Sequence, residues 1–223
     1  MTRLTQTRSI RILGVVVALA ASSAAACSTA ASVTPQPATA TQTARPSGPL
    51  PIRAGLATPG SYNTTAFRPP LTLTITSDGW LFRFEDDDDE MAVGRGDGVE
   101  ILGGRVSKVV DPGTHTSVDA PDDLVDWFES HPEFDAEPPK AVTVAGLTGQ
   151  SIDLRPKGRA DIEIFSYPTG DQRIPAGTRA RAWVLPYEGP DLVFTGLAPE
   201  GSFEQALPDV EAIIGSIEIG APS

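Results

Sequence analysis

From about Thr58 onward, apolar and polar residues alternate. Leu71-Thr72-Leu73-Thr74-Ile75-Thr76 puts Leu71, Leu73 and Ile75 on one side of an extended segment, and a period of two predicts a strand with one buried face. Ser77-Asp78-Gly79 is a turn signal, and Trp80-Leu81-Phe82-Arg83-Phe84 resumes as a second strand. Val99–Leu102 and Arg105–Val110 flank Gly103-Gly104, a spacing that fits either a hairpin or a bulged strand. Further strands are expected at 141–144, 150–154, 161–165, 179–185 and 192–194, the last two joined by a hairpin loop over Pro186–Asp191.

Two segments switch to helical spacing. Pro121 suits a first helical turn, Asp122 and Asp123 suit its positive end, and Leu124, Trp127 and Phe128 fall at i, i+3 and i+4 before Pro132 stops the run. Ser202-Phe203-Glu204-Gln205 has the form of a capping box, followed by Leu207, Val210, Ile213, Ile214 and Ile217. Pro208 inside that run predicts a kink, or a short helix followed by a longer one. Many strands, one helix, more strands and a closing helix predict an α+β domain, its mostly antiparallel sheet flanked by two or so helices.

The first residues carry an address. Arg3, Arg8 and Arg11 precede a run from Ile12 to Ala21 that fades into small residues through Ala26. A basic stretch, a short apolar core and a small-residue exit predict a signal peptide over 1–26. The apolar core is about ten residues, and a permanent transmembrane helix needs about twenty. The chain's one cysteine, Cys27, follows Ala24-Ala25-Ala26. This resembles the lipobox of bacterial lipoproteins, with Ala24 where Leu is usual, and the resemblance implies that Cys27 is acylated and becomes the new N-terminus. Residues 27–53 are mostly Thr, Ala, Pro and Ser and predict an extended, lipid-anchored linker, leaving 54–223 as a single domain.

Charge narrows the function classes. Loss of the leader removes three of 17 bases and none of 29 acids, so the mature chain stands at about −15. Such a chain is a poor nucleic-acid binder and is repelled by anionic headgroups. One cysteine excludes an intramolecular disulfide framework and an all-cysteine metal cage.

A resemblance runs over residues 66 to 219. Its parts are the turn Asp78-Gly79-Trp80, the helix with Trp127-Phe128, the strand pair crossing Val144 to Gln150, and a Phe-initiated helix running into Ser216-Ile217-Glu218-Ile219. Together these look like the extracytoplasmic lipoproteins of actinobacteria, and more distantly like the Mog1/PsbP-like sandwich. The resemblance implies an antiparallel sheet flanked by helices, in a family with binding and assembly roles and no shared active site.

Residues able to carry chemistry are few. Glu85 to Glu90 is a run of six carboxylates. Asp86, Asp87, Asp88, Asp89 and Glu90 are candidate calcium ligands, but the run lacks the alternation, Gly turn and distal Glu of a calcium loop, and a solvated loop between two strands is expected. Gly94-Arg95-Gly96-Asp97-Gly98 has no Lys-Ser/Thr after it and reads as a flexible hairpin tip. His115 and His131 stand without a nucleophile elbow or a His-Glu-x-x-His helix, and His131 is expected at a helix C-terminus, where an imidazolium meets the dipole favourably. Trp80, Trp127 and Trp183 are expected in the core. Arg179 and Arg181 share one face of a strand and are expected to form a solvated edge.

No catalytic residue and no cofactor are therefore expected. The sequence predicts a membrane-anchored, extracytoplasmic, non-enzymatic lipoprotein that binds an envelope protein or other envelope component. A carrier of lipid or a small apolar ligand is the alternative, and a hydrolase comes third.

Overall fold

The predicted strands are present in the computed structural model, which describes residues 47–49, 55–86 and 89–220, except that the segment 105–110 is broken at Ser107 and divided between two sheets. The predicted signal peptide, Cys27, most of the predicted linker and the acidic residues Asp87 and Asp88 lie outside the described residues. Within them the strands form three sheets.

The central sheet runs β10 (Phe134–Ala136), β12 (Leu147–Pro156), β15 (Thr178–Leu185), β16 (Asp191–Pro199), β7 (Glu100–Val106), β6 (Glu90–Arg95), β5 (Trp80–Asp86) and β2 (Gly55–Ala57), with β11 (Lys140–Val144) also on β12. A smaller sheet has the order β1 (Ser47–Pro49), β3 (Gly60–Asn63), β4 (Leu71–Ile75) and β17 (Glu218–Ile219). The third comprises β14 (Gly170–Ile174), β13 (Ile162–Tyr167), β8 (Lys108–Val110) and β9 (Ser117–Asp119). Among the described residues β1 and β3 are the one parallel pair. Ser47–Pro49, inside the predicted linker, thus pair with β3.

The balance of elements departs from the expected α+β. Helix α1 (Leu124–Ser130) has 7 residues and α2 (Phe203–Gly215) has 13, so the domain is predominantly β. The two small sheets do the covering that further helices would do in an α+β domain. On one face of the central sheet, Trp80, Phe82 and Phe194 pack with Leu73 and Ile75 of β4 and with Val210 and Ile214 of α2. On the other, Ile152, Leu154 and Val193 pack with Phe128 of α1, Phe134 and Phe165. Strands covered on both sides lose their alternation: Leu192 to Ala198 of β16 are all buried. Each fully buried Leu, Ile or Phe contributes about 1.5–3 kcal/mol.

The Gly103-Gly104 pair makes neither a hairpin nor a bulge; β7 runs straight through it. A Cβ on Gly103 would stand 2.9 Å from the Phe194 ring, and one on Gly104 would stand 1.9 Å from the Tyr167 hydroxyl. The glycines serve close packing from both sides.

Helix ends also differ. Helix α1 begins after Asp123, whose Oδ1 accepts from the amides of Val125 and Asp126 at 3.0 and 2.9 Å, so Pro121 lies before the helix. The expected capping box does not form: Ser202 makes no side-chain cap and donates instead to the Pro199 carbonyl, within a 3-10 turn over Glu200–Ser202. Helix α2 continues through Pro208 as one element.

Candidate binding cleft

The N-terminal end of α1, the β15–β16 loop and the point where β7 gives way to β8 converge at one end of the central sheet. Asp191 begins β16 opposite Val106, the last residue of β7, and Ser107 then hands the chain to the third sheet. The Ser107 carbonyl accepts from the Ala120 amide at 2.9 Å, which brings the segment leading into α1 alongside. Two adjoining hollows of ≈ 300 and ≈ 170 Å³ lie here, both lined by Asp122, Leu124 and Asp191. The larger adds Pro121, Ser107 and Gly189, and the smaller adds Asp123, Gln150 and Val184.

The loop wall is braced from behind. Arg105 Nη2 donates to the Glu188 carbonyl at 3.1 Å. Gly189 at φ 79° turns the loop in a conformation that favours glycine.

The cleft is acidic, with three carboxylates and no Lys or Arg in its lining. Burial pushes the Asp191 carboxyl above the usual carboxylate range, Asp123 pushes it further by repulsion, and the backbone amide of Tyr187 opposes the shift. A cationic group entering the cleft would relieve that repulsion.

A second charged cluster lies on the α2 face of the sheet. Arg179 and Arg181, expected on a solvated edge, are mostly buried and paired. Asp153 on β12, with its side chain 3% exposed, receives both guanidiniums. Arg179 also meets Glu137 and Glu204, and Arg181 meets Glu211. Burial alone would raise the Asp153 carboxyl, but the hydrogen bonds and charge of Arg181, with Arg179 and Lys140, outweigh it and hold it below the ordinary range. With their donors spent on carboxylates, these arginines join β12, β15 and α2, and do not form an anion site.

The singled-out residues take varied places. Trp80 and Trp183 are buried, and Trp127 is partly buried beside Phe128 and His131. The Gly94–Gly98 tip is a hairpin turn, pinned by Arg95, which pairs with Asp97 at 3.0 Å and with Asp209 of α2 at 2.7 Å. Glu90 does not belong to a solvated loop. It opens β6, is 8% exposed and accepts from Thr169 Oγ1 at 3.0 Å. Among the described residues no three His, Cys, Asp or Glu side chains gather as metal ligands.

His115 sits in an exposed turn at φ 51°, organised by Asp111, which accepts from the amides of Gly113 and Thr114. His131 does follow α1, but not as a solvated imidazolium. It is 3% exposed, and burial lowers its basicity. The helix-end field offers a cation about 0.3–1 kcal/mol at an exposed site; here the loss of solvent prevails.

Asp191 and Asp153 were not legible as site residues. The paired arginines call for a buried acid, but only the β12–β15 register, Asp153 opposite Arg181, selects which one.

No protein-family model matches the chain, and no curated protein matches it. Among solved structures it is similar to LpqN of Mycobacterium tuberculosis, described as involved in cell envelope biogenesis, at 11% identity and a TM-score of 0.28, over 76% of this chain and 91% of that one. A likeness this loose fixes neither family nor function. Among the described residues, no helix is long and apolar enough to cross a membrane.

Proposed function

We propose that this chain is a lipid-anchored, non-enzymatic binding module of the extracytoplasmic face, tethered through Cys27 and engaging its partner at the acidic cleft. The cleft carries the reading: it is concave, lined by Asp122, Asp123 and Asp191 without a compensating cation, and walled by a short helix and a braced loop. Its charge favours an amine or guanidinium group of an envelope component or protein. The packed faces of the central sheet favour engagement at the surface over carriage of an apolar ligand inside. Neither histidine lines the cleft, which supports a binding module over a hydrolase. A Mog1/PsbP-like domain belongs to the same reading and rests on the short motifs alone.

The test has two arms. Intact-mass spectrometry of the membrane-extracted chain should give a polypeptide beginning at Cys27 with a diacylglyceryl addition, and Cys27→Ala should release it. An unmodified chain would refute the anchor. Amide chemical-shift titration with arginine amide and with a tri-lysine peptide should move the signals of 121–125 and 189–191, and Asp191→Asn should weaken both. Shifts elsewhere, or none, would remove the cleft from the proposal.

A further inference from the structure

We infer that His131 is an acid-sensitive latch on the α1 wall of the cleft: a proton added to its ring loosens the helix that Asp123 caps and that carries Leu124 and Val125. The geometry lies at the other end of that helix. The His131 amide donates to the Phe128 carbonyl, and the His131 carbonyl accepts from the Phe134 amide, so this residue closes α1 and starts the turn into β10. Its Nδ1 accepts from the Glu133 amide at 3.3 Å. That acceptor role places the proton of the neutral ring on Nε2. Nε2 is buried without a hydrogen-bond partner, between Trp127 at 4.9 Å and Phe134 at 4.8 Å, ring centre to ring centre.

A second proton has nowhere to go but Nδ1. There it would face the Glu133 N–H, donor against donor, and put a charge among aromatic rings. The charged groups acting on the ring are few. Glu133 in the same turn favours the cation, and Lys157, just beyond β12, opposes it. Lys157 also donates to the Pro132 carbonyl at 3.1 Å and stands 3.8 Å from Asp135 of β10. On the remaining side, β13 offers Phe165, stacked against Trp127.

Helix α1 has 7 residues, too few to hold itself together once its closing turn is disturbed. The consequence for ligand affinity rests on the cleft being the binding surface; the loosening of α1 does not.

Hydrogen exchange by mass spectrometry, corrected for intrinsic rates, is the test. From about pH 7.5 down to about pH 4, through and below the ordinary histidine range because burial lowers the basicity of the ring, protection of 124–131 should fall several-fold while that of 203–215 holds. His131→Phe and His131→Gln should each flatten the α1 response. A long-range ¹H–¹⁵N titration of the wild type follows the ring nitrogens and remains informative if a variant fails to fold. A ring that protonates without loss of α1 protection, a wild-type α1 indifferent to pH, or an unchanged response in a folded variant would each overturn the latch. Loss of α1 protection without a change in arginine-amide affinity would leave the latch standing and refute the cleft.

Discussion

Arg181 holds Asp153 through two nitrogens, Nη2 standing 2.7 Å from Oδ2 while Nε meets Oδ1, across a register pair that joins β12 to β15. The acid is deeper than either arginine it serves. Removing its charge leaves two mostly buried guanidiniums with only their exposed partners, so Asp153→Asn should cost about 3 kcal/mol in urea unfolding. Glu204→Gln and Glu211→Gln remove exposed partners of the same arginines and should cost less than about 1 kcal/mol each. Equal losses at all three positions would show that depth does not matter here.

The same carboxyl sets an acid dependence. Its folded value lies below the unfolded one of about 3.9. The stability it supplies is therefore complete above about pH 4 and is lost as pH falls through the folded value. Below pH 4 the wild type should lose stability with a steeper slope than Asp153→Asn, as read by unfolding midpoints across that range.

Asp191 has the opposite sign. Burial and Asp123 raise its folded value, so ionising it at neutral pH destabilises the fold, and that stability returns as pH falls toward the unfolded value. Asp191→Asn should raise the thermal midpoint at pH 7 and change it little at pH 3. A lower midpoint at pH 7 would mean that the carboxylate is structurally needed.

Tyr167 tests the close approach at Gly104. Its buried hydroxyl has no hydrogen-bond partner, so Tyr167→Phe should leave stability within about 0.5 kcal/mol or improve it. Gly104→Ala drives a methyl into that hydroxyl and should cost about 1–3 kcal/mol. A tolerant Gly104→Ala would show that the third sheet slides freely on the central one.

The two helix starts make a matched pair. Asp123→Ala should cost about 1 kcal/mol, because Asp123 caps two amides. Ser202→Ala should be nearly silent, because its hydroxyl caps no helix amide. Denaturant midpoints of the two variants decide the matter.

These variants mark where the sequence could be read and where it could not. Leu71, Leu73 and Ile75 announce β4 because one buried face writes a period of two into the chain. Helix α1 was legible from Leu124, Trp127 and Phe128 for the corresponding reason. Gly103-Gly104 misled because what occupies the missing Cβ space comes from Phe194 and Tyr167, far along the chain. Arg179 and Arg181 showed a shared face, but whether it met water or Asp153 depended on strand register. His131 followed its helix as expected, yet its burial came from Trp127 and Phe134 closing over it. The cleft was hidden for the same reason: Asp122 and Asp191 are neighbours only after the strands between them have paired.

The small sheet has a mechanical consequence. β1 is parallel to β3, and β4 is antiparallel to both β3 and β17. Strands β1 and β17 therefore run in the same direction at opposite edges of four strands, roughly 14 Å apart at the usual spacing. Tension applied between Ser47 and Ile219 along the strands would enter at one end of β1 and leave at the far end of β17. It would load the ladder hydrogen bonds together, in shear, instead of peeling them one at a time.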